Sequence, residues 1–309
     1  MEVRAMFSPK RILVPTDFSR CAQQALSMAV AMGRECHAQL HLLRVQPLGL
    51  RDPYNPLYEQ TDRVSAARGG EAEAKLQMRA SLEACDPDGI AVHQVYRLEE
   101  EVGPAIVGYA AEMRADLVVL GTNGRRGLRY LMLGSVAAEV VRLAHCSVLT
   151  VREQPSDRKW EKWSRILVPV DFSEGSRRAL RVACALSTEI GAQLDVLHVV
   201  GRIHPLTMPD TSCATTQELE YGCCMDAQAA LERLCAHRTI PQKCTQLVVV
   251  GQPADRIIHQ AGELHSDLIV TATRGLSGIK RFLLGSVAEK VVRHSQCPVL
   301  TVRPHGRQT

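Results

Sequence analysis

The sequence predicts two doubly wound α/β domains in tandem, each a five-stranded parallel sheet flanked by helices. Three observations carry this expectation. First, the chain repeats itself: "KRILVPTDFSRCAQQAL" from Lys10 returns as "SRILVPVDFSEGSRRAL" from Ser164, and "MLGSVAAEVVRLAHCSVLTVR" from Met132 returns as "LLGSVAEKVVRHSQCPVLTVR" from Leu283. A period of 151 to 154 residues is far too long for a solenoid and matches a whole domain. Second, short apolar runs alternate with helix-period segments inside each copy, the pattern of a parallel sheet with crossover helices. Third, the apolar runs show little in/out alternation, as strands covered on both faces should.

The elements follow in order. "RILVP" (11–15 and 165–169) is the first strand, and 19–32 and 173–190 carry apolar residues at helical spacing. "AQLHLLRV" (38–45) and "AQLDVLHVV" (192–200) give the second strand. A long irregular segment then leads to a helix at 71–84 or 226–237. The third strand is "AVHQVYRL" (91–98) or "CTQLVVV" (244–250), followed by a helix at 104–113 or 253–264. "DLVVL" (116–120) or "DLIVTA" (267–272) is the fourth strand, then come a Gly-rich loop, a helix beginning at the G-S pair, and "SVLTV" or "PVLTV". Domains are expected at 1–152 and 164–309, joined by the polar linker "EQPSDRKWEKW" (153–163).

Bulk properties exclude several classes. A net charge of +4 from 37 basic and 33 acidic residues is too balanced to argue for nucleic acid or an anionic membrane. Aromatic residues are 4 % of the chain, too few for base-stacking platforms. No apolar run approaches the ~20 residues that span a bilayer. "MEVRAMFSPKR" lacks a signal-peptide core, so a cytoplasmic protein is expected, with its eleven cysteines free or buried.

The chemistry concentrates after the first and fourth strands. In an open parallel sheet, ligands bind beyond the carboxyl ends of strands at the point where chain order reverses. Asp17 lies just past the first strand and Gly121 just past the fourth. The loop reads G-x2-G-x9-G-S through Gly121, Gly124, Gly134 and Ser135. Glycines there permit positive φ and keep Cβ atoms away from a ligand. A helix start at Gly134–Ser135 favours an anion, with the serine hydroxyl free to donate or cap, and Arg125, Arg126 and Arg129 add positive charge. A phosphate is the economical ligand. The motif is neither a P-loop nor the dinucleotide fingerprint. The plainer alternative is that the glycines only make turns and that Asp17 only helps cap the first helix.

Taken together, "ILVPTDFS", "LVVLGTNGRRGLRYLMLGSVAAEVV" and the closing "VLTVR" resemble the universal stress protein family, specifically its ATP-binding branch, marked by G-x2-G-x9-G-[ST]. The resemblance covers the chain once per half and implies a Rossmann-like, adenine nucleotide alpha hydrolase-like fold. It implies ATP as the ligand, with Asp17 and backbone at Val45 on the adenine. Gly121 and Gly124 would approach ribose and phosphates, and Gly134, Ser135 and Val136 would hold the phosphates. The matching positions in the second half are Asp171, Val199, Gly275, Gly285, Ser286 and Val287. It further implies a cytoplasmic stress-response module, its halves packed as a pseudo-twofold pair, with homodimerisation of whole chains as a further level.

Departures are concentrated in three places. Ala272 replaces the first glycine of the second loop, leaving A-x2-G-x9-G-S, so binding is expected first in the N-terminal half. Arg44-Val45 stands where the second half has the family's His198-Val199. "EEEVGPAIV" (99–107) replaces the family-like "GQPADRII" (251–258) and brings Glu99, Glu100 and Glu101 to the sheet edge.

No nucleophile with an evident base and no HExxH occurs, so no enzyme beyond a slow ATPase is expected. Asp17 and Asp171 are the carboxylates available to Mg²⁺ beside phosphates. His204, Cys213, Cys223 and Cys224 could bind zinc or react with oxidants, but their spacing fits no standard zinc pattern and no metal ligand is assigned. The rival from another class is an interaction protein that uses the same fold for a partner or a small apolar ligand.

Overall fold

A computed structural model describes residues 7–48, 60–123, 133–154, 162–202, 216–236, 240–241, 243–273 and 284–303, with backbone alone for 60–69 and 216. These residues divide into two compact units. The first contains β1 (Arg11–Pro15), α1 (Arg20–Cys36), β2 (Gln39–Pro47), α2 (Gln60–Glu83) and β3 (Val92–Glu99), then α3 (Val102–Glu112), β4 (Leu117–Gly121), α4 (Ser135–Leu143) and β5 (Ser147–Val151). The second contains β6 (Arg165–Pro169), α5 (Glu174–Ile190), β7 (Gln193–Val200), α6 (Thr216–Cys235) and β8 (Cys244–Val250), then α7 (Pro253–Glu263), β9 (Leu268–Ala272), α8 (Ser286–His294) and β10 (Val299–Val302).

Strand order in the first unit is β3-β2-β1-β4-β5, and in the second β8-β7-β6-β9-β10. Every pairing within these two sets is parallel. The chain therefore winds outward from β1 to β3, returns across the sheet, and finishes on the other side. Right-handed crossovers in both directions put helices on both faces. Continuous apolar runs are what such a sheet requires: Ile12, Leu13, Leu117, Val118, Ile166 and Leu167 have no exposed surface.

Helix boundaries differ from expectation mainly in the second helix of each unit. α2 begins at Gln60 and α6 at Thr216, not at 71 and 226. Among the described side chains, the buried ones are Ala74, Met78 and Leu82 on α2 and Ala227 and Leu231 on α6. The preceding turns carry no apolar periodicity, so the pattern hid them. Cys223 and Cys224, expected in irregular chain, lie within α6, while His204 and Cys213 fall outside the described residues. Among the described residues, no helix is long and apolar enough to cross a membrane.

The two units solve the same turns with different residues. α5 ends in the left-handed Gly191 at φ 73°, whereas α1 ends in His37 at φ 49°. A side chain costs about 1–2 kcal/mol in that conformation, partly offset because glycine is freer when unfolded. His37→Gly is therefore expected to stabilise the protein by up to about 1 kcal/mol. The check is the urea midpoint of the first unit's transition at unchanged slope; a lowered midpoint contradicts the assignment.

Candidate functional site

β1 and β4 are hydrogen-bonded neighbours, with Ile12 opposite Leu117 and Leu13 opposite Val118. From β1 the chain crosses to β2 on one side, and from β4 to β5 on the other, so their carboxyl ends flank the switch point. β6 and β9 repeat the arrangement, with Ile166 opposite Leu268. In the first unit the ends open into a crevice of ≈ 550 Å³, inside the about 300–1,000 Å³ range of small-molecule sites.

The crevice gathers chain from every side. Thr16 and Asp17 enter after β1, Arg44 and Val45 from β2, Gly121 and Thr122 from the end of β4, and Gly134, Ser135 and Val136 from the start of α4. Val102 and Ile106 of α3, with Leu43, Leu120 and Leu133, make apolar walls. The α3 contribution was not anticipated; its sequence signal is the one-turn spacing of Val102 and Ile106. Gly124 and Gly275, with Arg125, Arg126 and Arg129, lie outside the described residues.

Asp17 is held in a tight turn. Its Oδ1 accepts the Ser19 amide at 3.0 Å, Thr16 Oγ1 accepts the Phe18 amide at 3.0 Å, and Ser19 Oγ caps α1 by accepting the Ala22 amide at 3.2 Å. Asp171 does the same for the Ser173 amide at 3.0 Å. The capping role considered for Asp17 is therefore present, through Ser19. It also carries strain, because Phe18 and Phe172 both sit at φ 63°, a conformation costing on the order of 1–3 kcal/mol for a bulky residue.

The Arg44-for-His departure leaves this turn clamped. The Arg44 guanidinium lies 5.4 Å from the centre of the Phe18 ring and donates to the Thr16 carbonyl at 3.4 Å. His198 stacks on Phe172 with centroids 4.6 Å apart and its Nδ1 donates to the Val170 carbonyl at 2.8 Å. Both side chains hold the aromatic ring and the first carbonyl beyond the strand.

The expected positive φ is absent at the two described glycines of the first loop, and both are crowded by neighbouring chain. Neither Gly121 nor Gly134 has a left-handed φ. A Cβ on Gly121 would stand 2.8 Å from Cys21 Sγ and 3.0 Å from the Cys21 carbonyl carbon, so the missing side chain makes room for α1. A Cβ on Gly134 would lie 3.0 Å from the Thr122 carbonyl oxygen, which accepts the Gly134 amide at 2.7 Å. Gly285 repeats that bond to Thr273 at 2.8 Å.

Ser135 is likewise not a cap. Gly134 is the N-cap of α4 and supplies no side-chain bond, whereas α1 and α5 are capped by Ser19 and Ser173. The first amides of α4, at Ser135, Val136 and Ala137, have no acceptor within their own helix. They border the crevice, and no acidic residue lies in the first turn. α8 starts in the same way at Ser286 and Val287 behind Gly285, but carries Glu289 in its first turn. Val199, the counterpart of Val45, lies on β7 opposite Val249 of β8.

Glu99, Glu100 and Glu101 gather away from this crevice, with Arg97, Tyr109 and Glu112 around a second hollow of ≈ 410 Å³. Among the described residues, no group of three or more His, Cys, Asp or Glu side chains is placed to hold a metal ion.

Residues 9–152 and 162–303 each match the universal stress protein family. The chain belongs to that family. A universal stress protein of Mycobacterium tuberculosis is 30 % identical over 233 residues, 74 % of this chain and 73 % of its own. One from Mycobacterium bovis is 25 % identical over 310 residues, 94 % of each chain. A solved universal stress protein from Archaeoglobus fulgidus has a TM-score of 0.69 at 19 % identity, over 97 % of this chain and 100 % of its own, a likeness of fold.

The Ala272 departure is best understood as half of a packing exchange. Where β4 ends in Gly121 beneath Cys21 of α1, β9 ends in Ala272 and α5 carries Gly175 at the matching position. The side chain has moved from helix to strand. Gly121→Ala should cost about 1–3 kcal/mol by overpacking, and adding Cys21→Gly should recover at least about 0.5 kcal/mol of it. Urea denaturation of the two single variants and the double variant measures the coupling; strict additivity contradicts the exchange.

Proposed function

We propose that the N-terminal half holds ATP in the crevice between β1 and β4, and that occupancy, not turnover, is the signal of this stress-response protein. One observation carries the reading: a single crevice joins the Asp17 turn to an uncapped helix start. Main-chain amides at Ser135, Val136 and Ala137, together with the helix dipole, suit an anionic phosphate tail. Asp17 can accept hydrogen bonds from an exocyclic amine, and Val45 offers main-chain groups beside it. The apolar walls from Leu43, Leu120, Val102 and Ile106 suit a purine face.

Asp17 is the one carboxylate among the residues described around the crevice. A Mg²⁺ accompanying ATP would therefore rest mainly on phosphate oxygens and water. Among the described residues around the crevice there is no nucleophile–base pair, and phosphate release is expected well below the rate of ordinary enzymes, on the order of 1 s⁻¹ or more. The second half is proposed as the weaker site, because Glu289 brings a carboxylate to the start of α8, partly neutralised by Arg293 at 2.9 Å.

The apolar walls also favour a rival reading, a protein that binds a small apolar ligand or partner segment. Ser135→Asp separates the two. An aspartate at a helix start is neutral or stabilising for the fold, but repels an anion. ATP affinity by isothermal titration should fall at least ~10-fold, equivalent to about 1.4 kcal/mol, with the melting temperature unchanged or raised. Wild-type affinity in the variant, or no ATP binding in the parent, overturns the ATP reading.

A further inference from the structure

The two halves differ in kind at the third residue of the second strand. On β7 it is Asp195, wholly buried and paired with Arg165 of β6 at 2.6 Å. Leu167 is the register partner of Asp195, so Arg165 reaches it along a diagonal from two residues away. In the first half Leu13 is the register partner of His41, and Arg11 lies on the same diagonal. Arg11 therefore has an imidazole beside it where Arg165 has a carboxylate.

A second imidazole stands next to the first. His93 of β3 is the register partner of His41, and the ring centroids are 4.6 Å apart with planes at 34°. Thr245 holds that place in the second half. Tyr109 of α3 completes the group, its hydroxyl hydrogen-bonded to His41 Nδ1 at 2.8 Å. Its counterpart in the second half is Gln260. Arg97 of β3 lies 5.2 Å from the centre of the Tyr109 ring. The carboxylates of this region are already engaged, Glu112 by Arg97 at 2.6 Å and Asp116 by Arg11 at 4.0 Å. Among the described residues, none is paired with either imidazole. A Cβ on Gly33 of α1 would lie 3.9 Å from Ile12, so α1 covers the opposite face of the sheet.

These surroundings suit neutral rings and oppose protons. Two imidazolium rings at this separation repel, Arg11 adds to the repulsion, and His41 is half-buried. Burial first, then His93 and Arg11, hold the His41 imidazole below its ordinary range. The unfolded chain then binds more protons than the folded one. This contribution to stability is complete above the unfolded value of about 6.5 and is lost as pH falls below it.

We propose that His41, His93 and Tyr109 form an acid-sensitive latch, which seats α3 on β2 at neutral pH and releases it on acidification. Both elements run from the latch to the crevice. Ile106 precedes Tyr109 by one turn of α3, Val45 follows His41 on β2, and both line the crevice. Release of α3 loosens that apolar wall, so nucleotide is held less tightly at low pH. The effect on affinity rests on the ATP reading; the release of α3 does not. The second half, with Asp195, Thr245 and Gln260, lacks the latch.

The test compares the full-length protein with His93→Thr and His41→Gln at about pH 7.5 and about pH 5.5. Amide exchange of α3 is read by mass spectrometry without nucleotide and corrected for the intrinsic effect of pH. In the parent, protection of α3 relative to α1 should fall about fivefold or more on acidification, and in both variants by less. His93→Thr changes an exposed side chain to the one found in the second half, so it leaves the fold intact. Imidazole resonances should show His41 titrating below about 6.5 in the parent, and at higher pH in His93→Thr. An α3 that stays protected in acid, an equal fall in parent and His93→Thr, or a His41 midpoint at or above the ordinary value overturns the proposal. ATP titration at the same two pH values tests the link to the crevice. The affinity of His93→Thr relative to the parent should rise on acidification, a ratio from which protonation of ATP itself cancels. A constant ratio with α3 released overturns the link, whereas a parent that binds no ATP overturns the nucleotide reading alone.

Discussion

The hydrogen bond from the Gly134 amide to the Thr122 carbonyl, at 2.7 Å, is the contact on which the rest of the candidate site depends. It returns the loop to the end of β4, so that α4 begins at the sheet edge. It also crowds a Cβ at 134 to 3.0 Å from the Thr122 carbonyl oxygen, which favours a glycine at the N-cap of α4. Where α1 takes a serine cap, α4 therefore begins behind a glycine that gives its first amides no side-chain bond. Gly285 and Thr273 impose the same condition on α8. The proposed anion site and the packing constraint are one feature.

Duplication lets each half act as a control for the other. Where one half changes a residue at the switch point, a neighbour changes in compensation. Ala272 stands where the first half has Gly121, with Gly175 on the neighbouring helix where the first half has Cys21, and Arg44 grips the ring and carbonyl whose counterparts His198 grips in the second half. The strained Phe18 and Phe172 share one φ of 63°, so the turn presenting Asp17 and Asp171 is kept despite its cost. The halves diverge more freely elsewhere, as in the acidic edge at Glu99–Glu101 and the cysteines around α6.

Much of this was legible before any coordinates. Strands such as "RILVP" announce themselves because both faces are buried, and the repeat makes every assignment twice. The positions around the switch point follow from strand order and from Asp17 and Gly121 lying just past strand ends. What escaped was anything decided by packing across the chain. The need for glycine at 121 comes from Cys21, a hundred residues away in sequence, and at 134 from a carbonyl oxygen. The left-handed Phe18 leaves no compositional trace, since glycine or asparagine would be the usual signal. The first turns of α2 hold Val64 as their one large apolar residue and give no period to find.

The most direct measurement follows amide hydrogen exchange at Ser135, Val136 and Ala137 by nuclear magnetic resonance, with and without ATP. Anion capture by the bare start of α4 predicts at least tenfold slower exchange at these amides when ATP is present, with little change at the capped start of α1. Unchanged exchange at all three under saturating ATP would contradict the account, even if nucleotide were bound elsewhere.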